Sequence, residues 1–202
     1  MKNLKVWQKL ALMGAVFMLP FAVVTGKMAS SVNTLGVEFA RQEIRGLNYY
    51  TPALTLLRDL QQHRGMAFAL SSGDGSFKER LARKGADIDN DIKNVEDVDR
   101  RLDATLHTTK KWTAVSVACR ALLNADVNLS RDDAFDRHTK VIGEVIALIA
   151  AVADASNLTL DPDIDSYYLM NVLIFQGPEL SDSLAQARGL GTGLIAGRNT
   201  TP

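Results

Sequence analysis

The sequence has little of what most soluble enzymes use. It has one cysteine in 202 residues, and a lone thiol makes neither an internal disulfide nor a zinc site. Cys119 stands in an apolar helical stretch with Val115, Val117, Ala121 and Leu122, and reads as core filler. There are three histidines, His63, His107 and His138, and none forms a helical i, i+4 pair with another ligand type in a metal motif. The chain has no glycine-rich phosphate loop, no Gly-x-Ser-x-Gly and no His-Glu-x-x-His. No catalytic constellation is expected and no cofactor is implied. Net charge is also lacking: 23 basic residues balance 23 acidic ones. No global field draws the chain to nucleic acid, so recognition must rest on local charge.

What is present is apolar residue, 47% of the chain, enough to build a core. The first concentration of it is at the start. Lys2, Lys5 and Lys9 precede an uncharged run from Leu10 to Gly26, with Trp7 near its beginning and Lys27 closing it. Extended through residues 6–28, the run reaches the length needed to span a bilayer. The lysine excess before it predicts a cytoplasmic start and places the rest outside. A cleaved signal peptide has a similar signature. No clean Ala-x-Ala site lies between Ala22 and Ser31, so a retained anchor over 1–28 is the preferred reading, followed by an extracytoplasmic domain over 29–202.

Beyond the anchor, helical periodicity dominates. Phe77, Leu81, Ile88, Ile92, Val95, Leu102 and Leu106 recur on one face, with Lys78, Glu79, Asp89, Lys93 and Glu96 on the other. Ser76 and Glu79 predict a capping box after the Gly73-Asp74-Gly75 turn. Ser130 is placed to cap the amide of Asp133 at the start of a helix running to Ala155. Asp161-Pro162 is expected to open another, proline suiting a first helical turn. Asp161, Asp163 and Asp165 suit helix capping better than a calcium loop, since Tyr167 and Tyr168 stand where ligands should continue. Gly177-Pro178 is expected to break or kink the pattern before helix resumes through Leu180, Leu184, Leu190 and Leu194. No alternating strand pattern competes. The predicted fold is all-α: an antiparallel bundle of four-helix type with an N-terminal transmembrane helix.

An internal repeat lies at an offset of 124. Leu60-Gln61-Gln62-His63-Arg64-Gly65-Met66-Ala67 shares Leu, Gln, Arg and Gly with Leu184-Ala185-Gln186-Ala187-Arg188-Gly189-Leu190-Gly191. In the same register the Gly73 to Ser76 loop falls on Gly197 to Thr200, and Thr201-Pro202 falls where a further long helix should open, so the domain is expected to be incomplete at its C-terminal end. The two motif arginines are the candidate binding residues. If Arg64 and Arg188 faced a shared cavity, their planar guanidiniums would suit a small oxyanion, and the glycine after each would let a neighbouring backbone approach. His63 and the Tyr49-Tyr50 pair would supply further donors. The competing reading pairs each arginine with a carboxylate, such as Asp59 or Glu179, on a solvated face.

The block from Leu60 to Leu81, with Gln62-His63-Arg64-Gly65-Met66-Ala67 and Ser71-Ser72-Gly73-Asp74-Gly75-Ser76-Phe77, resembles the opening motif of nitrate- and nitrite-sensing (NIT-type) helical domains. The region from Phe135 to Gly191 resembles the sensor region of bacterial methyl-accepting chemotaxis proteins and related transmembrane receptors. Its carrying residues are His138-Thr139, Ser156-Asn157-Leu158, Leu160-Asp161-Pro162-Asp163, Asp165-Ser166-Tyr167-Tyr168-Leu169-Met170 and Ala187-Arg188-Gly189-Leu190-Gly191. The resemblance implies a periplasmic signal-input bundle in the bacterial inner membrane, homodimeric, with a small-molecule ligand and no nucleic-acid partner. The family's motif arginine falls on Arg64. His63 stands where the family commonly has an acidic residue, a departure that bears on the choice of nitrate or nitrite. The alternatives from other classes are an exported binding protein freed by signal cleavage and a structural dimerisation module without a ligand.

Overall fold

The computed structural model describes residues 5–124, 130–160 and 164–198. The expected helix openings at Asp161-Pro162 and Thr201-Pro202 lie outside the described residues. The described chain is helical, without a strand. It divides into two units, 1–42 and 43–202, so the division falls beyond the Met28 end of the expected anchor.

The first unit is built on α1, Val6–Val32. Its 27 residues make a rod of about 40 Å, longer than the ~30 Å hydrocarbon core of a bilayer. Every side chain from Leu10 to Gly26 is exposed. This is the one described helix long and apolar enough to cross a membrane. At Asn33–Val37 the backbone passes through a π-turn, and helix α2, Glu38–Ser71, follows.

From residue 43 onward α2 belongs to the second unit. It ends in a turn where Gly73 takes a φ of 106°, a region that only glycine enters without strain. Asp74 Oδ1 then accepts from the Ser76 amide at 3.0 Å and starts a 3-10 turn, Gly75–Phe77. The expected Ser76 cap is therefore replaced by one two residues earlier. Helix α3, Lys78–Leu106, carries the predicted stripe, with Ile88, Ile92 and Val95 fully buried.

Helix α3 stops at His107, whose left-handed φ of 52° turns the chain into α4, Thr109–Leu123. The stop is fixed by a buried carboxylate. Asp99, 2% exposed, accepts from Thr108 Oγ1 at 2.7 Å, Thr109 Oγ1 at 2.6 Å and the Tyr49 hydroxyl of α2 at 3.0 Å. Burial, and then the Asp99 charge, push the Tyr49 phenol well above its usual range. Cys119 on α4 is fully buried and its thiol is pushed up to about 12, chiefly by burial.

Helix α5, Arg131–Ala155, begins as expected, with Ser130 Oγ accepting from the Asp133 amide at 3.1 Å. Two further pieces complete the unit: α6, Ile164–Asn171, and α7, Gly177–Arg198. Between them Val172–Gln176 forms a second π-turn. The expected break at Gly177-Pro178 is thus a local widening of the helix. Proline lacks the amide that an α-turn uses, and a Cβ on Gly177 would stand 3.0 Å from the Val172 carbonyl oxygen.

Contacts along α2 give the directions of its neighbours. Tyr49 meets Asp99 and Asp59 meets Lys84, so α3 runs antiparallel to α2. His63 meets His138, while a Cβ on Gly46 would fall 2.1 Å from Ser156 Oγ, so α5 is antiparallel too. The last helix differs: Tyr50 meets Leu173, Arg64 meets Asp182 and Gly65 meets Gly189, so α7 runs parallel to α2.

Candidate functional site

Arg64 sits where α2, α5 and α7 meet, and it is fully buried. Its Nη2 donates to Asp182 Oδ1 at 2.6 Å and its Nη1 to Thr139 Oγ1 at 3.1 Å. The guanidinium lies 5.1 Å from the centre of the Phe135 ring, within cation–π range. Its Nε has no acceptor among the described residues. A buried arginine needs a carboxylate, since the desolvation of an unpaired charge costs several kcal/mol. Asp182 fills that need, and its other oxygen accepts from Gln186 Nε2 at 2.7 Å, one turn further along α7.

His63, beside Arg64 in sequence, turns to α5 instead. It is 8% exposed and stacks on His138, with Nδ1 2.7 Å from His138 Nε2. His138 Nδ1 lies 2.6 Å from the Ala134 carbonyl oxygen and therefore carries a proton that it donates. Its Nε2 is left to accept from His63 Nδ1–H, which makes both rings neutral. Burial is the main cause of their low values, His63 falling to about 3 and His138 to about 4. His138 charge adds to the effect on His63, and Arg64 adds to that on His138 while the Ala134 carbonyl opposes it.

Arg188 is placed differently. It is exposed and lines an open groove of about 500 Å³ between α2 and α7, with Arg58, Gln61, Gln62, Ser181 and Leu184 among the other walls. A second hollow of about 460 Å³ shares Arg58, Gln61, Gly177 and Ser181 with it, so the seam between the helices is a continuous trough. Arg58 is engaged through Nε by Asp59 at 2.9 Å. Gln61 is 5% exposed; its Oε1 accepts from Ser181 Oγ at 3.1 Å and its Nε2 has no acceptor among the described residues.

The two motif arginines are therefore not brought into one cavity. Arg64 is enclosed, and Arg188 opens onto the groove beside it. The two motif glycines are brought together: a Cβ on Gly189 would stand 3.6 Å from the Gly65 Cα. The carboxylate that pairs with Arg64 is Asp182, and not Asp59 or Glu179; Asp59 pairs with Arg58 and Lys84. Tyr49 and Tyr50 point elsewhere, to Asp99 and to the Leu173 carbonyl oxygen. The functional neighbours that the motif reading did not single out as ligands are Thr139, Asp182 and Gln61. Of these, Gln61 and Thr139 stand in the motif blocks quoted above, and Asp182 stands in none.

In the second unit a fully buried cation, a paired carboxylate and N–H donors without an acceptor among the described residues thus lie beside an open groove. A guanidinium edge with N–H donors to spare has the chemistry to bind an anion. No curated protein and no solved structure matches the chain. A family model described as nitrate and nitrite sensing matches residues 55–202, the stretch that contains Arg64, Asp182 and Arg188. The chain belongs to the nitrate- and nitrite-sensing (NIT) family.

Proposed function

We propose that this chain is the signal-input part of a bacterial transmembrane receptor, serving chemotaxis or a related response, and that it senses nitrate or nitrite without catalysing a reaction. The observation that carries the reading is Arg64, a fully buried guanidinium with one nitrogen lacking an acceptor among the described residues. A small planar oxyanion supplies acceptors in the plane of the guanidinium. Arg188 and Arg58 line the neighbouring groove, where their charge favours the approach of anions. His63 acts on the site from behind, through His138 and α5.

In this reading α1 is a retained anchor in the inner membrane and the second unit is periplasmic. Ligand binding favours one arrangement of α2 against α5 and α7 over another, and α2 leads in sequence back to α1. The working form is a homodimer. Exposed Leu169, Leu173, Leu180 and Leu184 give α6, the π-turn after it and α7 apolar surface for a second copy.

The test is a titration of the full chain in lipid nanodiscs with nitrate, nitrite, chloride and sulfate, read by thermal shift. Binding to the native state alone raises the melting temperature with ligand concentration. A saturable rise with nitrate or nitrite, lost in Arg64→Lys, supports the reading. A flat response to all four anions from a well-folded sample would replace it with that of a structural dimerisation module.

A further inference from the structure

The hydrogen bonding of Arg64 is uneven. Asp182 Oδ1 engages Nη2 at 2.6 Å, but the adjacent Nε has no acceptor among the described residues. The Nε and Nη2 edge of arginine is one of the two edges on which a planar oxyanion binds through two parallel hydrogen bonds. Asp182 uses only half of it, because its second oxygen is held by Gln186 Nε2 at 2.7 Å. A carboxylate and a nitrate or nitrite ion present the same pair of oxygens on a trigonal centre. The site of Arg64 therefore already contains a substitute for such an ion, badly seated.

We propose that Asp182 is an internal competitor for the oxyanion. In the ligand-free state its carboxylate occupies the Arg64 edge; nitrate or nitrite displaces it, takes Nε and Nη2 together, and frees α7 from its ion pair with α2. The proposal rests on the reading that Arg64 receives the ligand, and it names what the ligand must exclude. Exchange of one anion for another leaves the buried cation compensated throughout, which avoids the large cost of an unpaired buried charge. The route in lies along the groove, whose wall includes Gln61, one turn before Arg64, and Ser181, the residue before Asp182. On that route Gln61 Nε2 is a second buried donor without an acceptor among the described residues. Competition from Asp182 lowers apparent affinity by the fraction of molecules in the closed form, so the pair sets the concentration at which the receptor responds.

The experiment is isothermal titration of sodium nitrate and sodium nitrite into the full chain in nanodiscs, comparing wild type, Asp182→Asn and Gln186→Leu. Asparagine keeps the shape and removes the competing charge, and the expected result is nitrate or nitrite affinity raised at least about tenfold, equivalent to ~1.4 kcal/mol. Gln186→Leu releases the second oxygen of Asp182 without touching Arg64. It is expected to change affinity less, and it serves as the test if Asp182→Asn does not fold. Its expected direction is weaker binding, because a freed carboxylate seats on both nitrogens and competes better. Wild type that binds, with Asp182→Asn equal or weaker, would overturn the competitor role and leave Arg64 as the ligand residue. No binding by wild type or either variant would overturn the reading of Arg64 itself.

Discussion

Gly65 on α2 and Gly189 on α7 face one another across the parallel crossing of the two helices, and a Cβ added to Gly65 would lie 4.0 Å from the Gly189 Cα. That distance is ordinary contact, so each position admits one methyl group. Gly65→Ala and Gly189→Ala singly are expected to leave stability unchanged or raise it by up to ~1 kcal/mol through helix propensity. Gly193→Ala and Gly46→Ala are expected to do the opposite, because their Cβ atoms would fall 2.1 Å from the Phe68 ring and from Ser156 Oγ. Each of these should cost ~1–3 kcal/mol, net of that gain. Thermal denaturation of the four variants side by side checks the ordering.

The Asp99 carboxylate accepts three hydroxyl hydrogen bonds in the core. Tyr49→Phe removes one donor and leaves two, and is expected to cost ~1 kcal/mol. Asp99→Ala strands three buried or part-buried hydroxyls and unfastens the turn between α3 and α4, with an expected loss of ~3 kcal/mol. Denaturant unfolding of both variants measures the ratio; equal losses would show that Asp99 is not the hub.

The stacked histidines make stability depend on acid. Their folded values, about 3 for His63 and about 4 for His138, lie below the ordinary 6.5. The unfolded chain therefore binds more protons between these limits, and the pair's contribution is complete above about pH 6.5 and is lost as pH falls toward 4. The loss is expected to be on the order of 2 kcal/mol. Melting curves across that range should show a steeper acid loss in wild type than in a His63→Leu/His138→Leu double variant, and parallel curves would refute the assignment.

Asp91 works in the opposite sense. Burial first, and the neighbouring Asp59 charge second, raise its carboxyl from 3.8 to about 6, and its Oδ2 has no partner among the described residues. The folded state binds the extra proton, so the stabilisation is complete below about pH 3.8 and is lost as pH rises through 6. Asp91→Asn is expected to gain about 1 kcal/mol near neutral pH and nothing near pH 4. A gain that persists unchanged in acid would point to packing instead of charge.

How far these features could be read from sequence differs by element. Helices α3 and α5 were legible because a long apolar stripe and, for α5, a serine cap point the same way. The separate helix α4 was not, since the turn at His107 has neither glycine nor proline and is held by Asp99, a contact from the preceding helix. At the site, the arginine-glycine repeat marked both glycines as places where a neighbouring backbone can approach, and in the fold Gly65 and Gly189 meet each other. It could not signal that Arg64 is enclosed and Arg188 exposed. The reason is that α2 is covered by α3, α5 and α7, whereas Arg188 lies at the groove edge of α7. Likewise the choice of Asp182 over Asp59 depends on the register of α7 on α2, which no local pattern contains.

The π-turn at Asn33–Val37 bears on what kind of movement this chain accommodates. A π-turn holds one residue more than an α-turn, and one residue of α-helix is a rotation of about 100° and a rise of ~1.5 Å. Closing that turn, or passing it along the chain, would therefore change the angular phase between the helical residues before Asn33 and those after Val37 far more than it would change their separation. Such a slip would twist the helix more than it stretches it, and a spin label pair spanning residues 30 and 40 would report orientation more sensitively than distance.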